Sequence, residues 1–146
     1  MPAVNAYLNF PGNTEEAFNF YRSVFGGELI NLQRFKDTPH GDQLSAVDKE
    51  KIMHVALLIG KETMIMATDT LESMGQTLTP GDNISLAVSP DSEADATKIF
   101  NGLAAGGKVT MPLENMFWGA YFGMLTDKFG IQWMVNYDRK QQRHDK

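Results

Sequence analysis

Few residues in this chain could do chemistry. It has 146 residues and no cysteine, so thiolate nucleophiles, thiolate metal sites and disulfides are excluded. Of the three histidines, only His54 lies outside a loop or tail, in the run "IMHVALLIG", Ile52 to Gly60. Imidazole titrates near neutral pH, so His54 is the candidate catalytic residue, as a general base or a ligand-orienting group. The alternative is a hydrogen-bonded strand histidine with a structural role, for which Asp69 or Tyr121 is the candidate partner. His40 and His144 are expected in solvent. Glu15, Glu16, Asp91, Glu93 and Asp95 cluster where helices are expected to begin, and there they complement the helix dipole without any catalytic role. The sequence has no Gly-x-Ser-x-Gly elbow, no phosphate-binding glycine loop and no His-Glu-x-x-His pair.

Methionines and aromatic rings are more abundant than reactive groups. There are nine methionines, among them Met53, Met64, Met66, Met111, Met116, Met124 and Met134, all in or beside apolar runs. Thioethers fill cores and also line adaptable pockets. The segment "FWGAYFGMLTDKFGIQW", Phe117 to Trp133, mixes rings with glycines. Asp127–Gly130 reads as a tight turn, and Gly119 and Gly123 as places where strands bend or approach closely. Trp118 is the ligand-facing candidate. Trp133 is expected in the core, at the repeat position of Ile65.

A repeated unit must position these groups. "NAYLNF" (Asn5–Phe10) and "NISLAV" (Asn83–Val88) both alternate with a period of two, as strands do. In the first, Ala6, Leu8 and Phe10 oppose Asn5, Tyr7 and Asn9. In the second, Ile84, Leu86 and Val88 oppose Asn83, Ser85 and Ala87. A helix signal follows each strand, with Asn13 and Glu16 as one capping pair and Ser92 and Asp95 as the other. Apolar residues then recur at helical spacing: Ala17, Phe20, Tyr21, Val24 and Phe25, and later Ala96, Ile99, Phe100, Leu103 and Ala104. Glycine pairs end both helices, Gly26-Gly27 and Gly106-Gly107. Three strands are expected after each helix: Glu28–Phe35, Lys51–Ile59 and Thr63–Ala67, then Lys108–Met111, Tyr121–Thr126 and Gln132–Tyr137. Hairpin turns are expected at Gly60-Lys61 and Asp127–Gly130.

The fold class is thus α+β, with tandem βαβββ repeats forming a curved, cup-shaped mixed sheet with helices on its outer face. One domain is expected over residues 1–146, with half-repeats at about 3–70 and 81–138. Residues 36–50 read as a long polar loop and residues 138–146 as a frayed tail. Apolar content of 42% suits a packed core, and a net charge of −5 argues against a nucleic-acid partner. There is no membrane-length apolar run and no signal-peptide pattern, so a cytoplasmic protein is the simplest expectation.

Three segments carry a family resemblance: "NFPGNTEEAFNFYRSVFGGEL", "IMHVALLIG" and "FWGAYFGMLTDKFGIQW". With the duplicated unit, they resemble the vicinal oxygen chelate superfamily of glyoxalases, bleomycin- and fosfomycin-resistance proteins and extradiol dioxygenases. Within it they resemble the PhnB-like branch, often labelled 3-demethylubiquinone-9 3-methyltransferase. The resemblance implies a homodimer and a small-molecule site in the cup. It also implies a divalent metal held by the first and last strands of each half, which here places Asn5, Met66, Asn83 and Met134 at the ligand positions. Amides and thioethers are poor ligands for such ions, so no metal and no cofactor is expected, and glyoxalase or dioxygenase chemistry is doubtful. The methyltransferase label conflicts with the lack of a nucleotide-binding α/β pattern. The expected function is binding of a partly apolar small molecule by Asn5, Tyr7, Asn9, His54, Met66, Asn83, Ser85, Trp118, Tyr121 and Met134. Two alternatives stay open: a metal-dependent lyase, isomerase or dioxygenase using His54 with a carboxylate such as Glu114, and a drug-sequestering resistance-type protein.

Overall fold

A computed structural model describes residues 2–60 and 63–139. It divides into two compact units, with the boundary between Thr79 and Pro80. Each unit carries one β-α-β-β-β succession.

The first unit contains β1 (Ala6–Phe10), α1 (Thr14–Phe25), β2 (Glu28–Arg34), α2 (Ala46–Glu50), β3 (Ile52–Ile59) and β4 (Thr63–Asp69). Its sheet order is β1-β4-β3-β2, with β1 parallel to β4 and the other neighbours antiparallel. The second unit contains β5 (Leu86–Val88), α3 (Glu93–Ala104), β6 (Lys108–Asn115), β7 (Ala120–Thr126) and β8 (Gln132–Asp138). Its order, β5-β8-β7-β6, is the same topology. The tandem βαβββ repeat is therefore present in two mixed four-stranded sheets.

Each helix buries one stripe against its own sheet. On α1 the stripe is Thr14, Ala17, Phe18 and Tyr21. It shares Ala17 and Tyr21 with the expected series but starts three residues earlier, so Phe18 is fully buried while Phe20, Val24 and Phe25 are only partly covered. On α3, Ala96, Phe100 and Leu103 are buried, as the spacing predicts. Phe10, Val55, Leu57, Ile65 and Ala67 supply apolar surface in the first unit, and Leu125, Trp133 and Val135 in the second. Trp133 is a core residue whose indole Nε1 donates to Asp127 at 2.8 Å.

The glycine pairs behave as one device used twice. Gly26 and Gly106 have φ of 76° and 75°. A Cβ on Gly27 would lie 2.0 Å from the Leu58 carbonyl oxygen, and one on Gly107 would lie 2.3 Å from that of Thr126. The chain leaving each helix thus presses onto a strand backbone where only hydrogen fits.

Several expectations need correction. Ser92 caps α3 by accepting from Asp95 N at 3.0 Å, but the Asn13 side chain makes no capping bond on α1. Asp69, from the end of β4, takes that role: one oxygen accepts from Thr14 N at 2.9 Å, and the other from Ile52 N at 2.8 Å. The strand expected over Asn83–Val88 forms only over Leu86–Val88. The residues before it follow Pro80, Gly81 and Asp82, which favour turns over ladder pairing. The long loop at 36–50 instead holds two 3-10 turns, Phe35–Asp37 and Gly41–Gln43, and then α2, which Ser45 caps. Asp138 ends β8, and Arg139 bonds Asn115 and Glu93, so these two residues are not a frayed tail. The rest of the expected tail, with His144, lies outside the described residues, as does Lys61 of the first hairpin turn.

Candidate functional site

Alternation along the strands gives each sheet a face turned away from its helix. In the first unit the β-ladders place Tyr7 opposite Met66, Met66 opposite Ala56, and Asn9 opposite Thr68. Cross-strand partners share a face, and His54 shares this one, two residues along β3 from Ala56. The Tyr7 ring reaches across β4, so that its hydroxyl lies 3.3 Å from His54 Nδ1 with ring centroids 5.8 Å apart. Tyr7 is thus the partner of His54. Asp69 is engaged with backbone amides, and Tyr121 bonds Thr97.

The direction of this hydrogen bond depends on the imidazole tautomer. When the phenol donates to Nδ1, the imidazole proton sits on Nε2. Among the described residues Nε2 has no hydrogen-bond partner. When the imidazole is protonated, Nδ1–H donates to the phenol oxygen. Tyr7 remains 46% exposed and His54 partly exposed, which leaves both open to a ligand.

A cleft of about 510 Å³ lies at the carboxyl ends of β1 and β4, farther along these strands than the pair, which does not line it. Asn9 and Thr68 lead into it from the sheet, and Phe35, Met53, Gln76 and Thr77 are among its walls. Its outer wall is braced: Gln76 Oε1 accepts from Leu71 N at 2.7 Å, and Ser73 donates to the Asp48 carboxylate at 2.6 Å. The Ser73 hydroxyl, then the Lys51 ammonium 2.9 Å away, hold the Asp48 carboxyl below the usual carboxylate range.

The other expected site residues are placed less uniformly. Asn5 precedes β1 and is exposed. In the second unit Met134 lies opposite Ala87 and Met124, on the face turned from α3. Trp118, 47% exposed, sits in the β6–β7 turn edge-on to Phe122. Ser85 and Asn83 lie before β5, and Asn83 is in an exposed bend. Tyr121 points the other way: its hydroxyl lies 3.1 Å from Thr97 of α3, and Arg139 stacks on its ring. It belongs to the helix-side face, away from Met134.

The ladders also correct the register of the repeat. Ala6 pairs with Ile65 and Leu86 with Trp133, so Ala6 corresponds to Leu86 and Asn5 to Ser85. Asn5 and Asn83 are therefore not equivalent. A shift of two preserves the faces, which is why the polarity of each strand was legible and the central residues were not. The equivalent central pairs are Tyr7–Met66 and Ala87–Met134. Neither pair, a phenol with a thioether or a methyl group with a thioether, offers the imidazole or carboxylate that a divalent metal needs. Among the described residues no three His, Asp or Glu side chains gather as a metal cluster, and no helix is long and apolar enough to cross a membrane.

Thr68, Gln76 and Thr77 were missed by sequence reasoning. Thr68 could have been found as the ladder partner of Asn9. Gln76 and Thr77 lie between the repeats and match neither, so no periodicity marks them.

Comparison with known proteins places these features in a group. The family described as 3-demethylubiquinone-9 3-methyltransferase matches residues 2–136. Protein YjdN of Escherichia coli is 31% identical over 146 residues, covering 94% of this chain and 97% of its own. The crystal structure of PA1353 from Pseudomonas aeruginosa is 40% identical, with a TM-score of 0.82, over 94% of this chain and 98% of that one. The PhnB protein of Bacillus cereus is 28% identical, with a TM-score of 0.74, over 93% and 99%. A glyoxalase/bleomycin resistance protein/dioxygenase family enzyme from Burkholderia phytofirmans, at 20% identity and a TM-score of 0.62 over 92% and 99%, shares the fold.

Proposed function

The chain belongs to the family described as 3-demethylubiquinone-9 3-methyltransferase, the PhnB-like branch of the glyoxalase and bleomycin-resistance fold, and on that premise we propose that it binds a small, partly apolar organic molecule without a metal ion. The ligand lies on the open face of the first unit, between the Tyr7–His54 pair and the cleft. The carrying observation is the 3.3 Å contact of Tyr7 with His54 on a surface otherwise lined by Met66, Asn9 and Thr68. Few oriented polar groups in an apolar setting are typical of small-molecule sites. The ligand meets the His54 Nε2 atom, an amide at Asn9, and a thioether at Met66. Asn5 lies beside Tyr7 at the rim. In the second unit Trp118, Met134 and Ser85 are the matching candidates, and Asn83 and Tyr121 drop out of this reading. The working form is a homodimer in the cytoplasm.

Methyl transfer is not part of this reading. A nucleotide-binding methyltransferase sheet is mostly parallel, with a glycine-rich turn opening its first helix. Both sheets here are mixed, and among the described residues the only parallel pairs are β1–β4 and β5–β8.

A thermal-shift screen of organic fragments on tag-free protein tests the proposal. Hits are expected to stabilise the wild type equally with and without EDTA, and to lose at least about tenfold in affinity, roughly 1.4 kcal/mol, in both Tyr7→Phe and His54→Ala. Hits that bind both variants normally, or only with added divalent metal, would overturn it.

A further inference from the structure

A row of three side chains crosses the sheet of the second unit. Glu114 of β6 is opposite Phe122 of β7, and Phe122 is opposite Asn136 of β8. The next rung fixes its face. Asn115, Tyr121 and Tyr137 are aligned there, and the Tyr121 hydroxyl reaches Thr97 of α3. That rung is therefore on the helix side, and Glu114, Phe122 and Asn136 are on the other. Trp118 leans edge-on over Phe122, with ring centroids 6.2 Å apart.

Among the described residues, no cation meets the acceptors and ring faces of this row. The Asn136 Oδ1 atom is buried with no donor among the described residues. Glu114 is exposed and has no ion pair or hydrogen bond among the described residues. Arg139 is engaged elsewhere, bonding Asn115 and Glu93 and lying over the Tyr121 ring on the helix-side face. A buried acceptor without a donor is a cost that a bound N–H group removes. Trp118 and Phe122 present π-faces that attract positive charge. A chain of net charge −5 draws cations to it.

We propose that this face binds a protonated organic amine on an apolar or aromatic body. The ammonium group lies between the Glu114 carboxylate and the rings of Trp118 and Phe122. One N–H donates to Asn136 Oδ1. The body covers Met124 and Met134, the paired rung beside Phe122 and Asn136. The site uses side chains of the second unit alone.

The test is a titration of tag-free protein with 2-phenylethylamine, against 2-phenylethanol as a neutral match, followed by tryptophan fluorescence and by NMR. Trp133 is buried and bonded to Asp127, so the emission change reports Trp118. Saturable binding of the amine, with the alcohol at least about tenfold weaker, is expected from loss of the charge contacts. Glu114→Gln, at an exposed position, keeps the fold by circular dichroism and weakens the amine by a similar factor. Trp118→Leu removes the fluorescence response and weakens binding seen by NMR. His54→Ala leaves amine binding unchanged. Equal affinity for amine and alcohol, full affinity in Glu114→Gln, loss of binding in His54→Ala, or no saturable binding by either method would each overturn the proposal. Because the two sites answer to different variants, failure here is distinguishable from failure of the Tyr7–His54 reading.

Discussion

Asp69 joins the start of α1 to the start of β3 by accepting from Thr14 N and Ile52 N, while itself ending β4. It is 2% exposed, so neither amide finds water when the carboxylate is removed. Asp69→Ala should therefore cost about 3 kcal/mol, the range for hydrogen bonds to a charged group, read as a shift in the urea midpoint at unchanged slope. Asp69→Asn retains one acceptor and should cost less. The sequence told where α1 begins but not what caps it. Asn13 has the right type and spacing, yet the capping oxygen comes from 55 positions away. Likewise His54 was legible as the one strand histidine, whereas its partner Tyr7 depends on β1 lying next to β4 rather than β2. Long-range pairings of this kind leave no trace in local periodicity.

At the scale of elements, the glycine pairs separate two effects. Gly26 needs only its positive φ, and a Cβ there meets nothing within 4 Å. Gly26→Ala should cost about 1–3 kcal/mol, because φ 76° with ψ −156° is a region that essentially only glycine adopts. Gly27→Ala and Gly107→Ala drive a Cβ into a carbonyl oxygen and should cost more, about 2–4 kcal/mol, because strand backbone must move. Thermal unfolding of the three variants checks the ranking. Both pairs were visible in the sequence as helix stops, but the contact that makes the second glycine necessary was not. Strand ends were less legible than strand types. β6 continues through Pro112 to Asn115, four residues past its expected end at Met111, because it is an edge strand, where a missing ladder donor is tolerated. Acid should act on the joints between elements. Hydrogen bonds from Arg34 hold Glu15 below its usual range, as Ser73 and Lys51 do Asp48. A depressed folded-state pKa adds stability above the unfolded value, and that stability is lost as pH falls through the folded one. Stability should thus drop as pH falls below the ordinary carboxylate range, and Asp48→Asn should flatten that drop in a series of melting curves.

The whole molecule repeats one topology with unlike centres. The first unit sets a phenol and an imidazole on its open face, and the second sets methionines with a ring, an acid and an amide. The duplication was readable because each copy keeps its helix stripe and its glycine pair. The register between copies was off by two, since polar residues at the first strands looked alike in type and not in ladder position. A homodimer should appear in sedimentation as a single species of twice the 16.3 kDa chain mass, and a monomer under the same conditions would limit the proposal to a single chain. The decisive measurement is an NMR titration of tag-free protein with a fragment hit, following the His54 imidazole signals with and without EDTA. Saturable shifts at His54, the same in both samples and absent in Tyr7→Phe, are the expected result. Shifts that vanish with EDTA and return with stoichiometric Mn²⁺, Ni²⁺ or Zn²⁺ would contradict metal-free binding at this face.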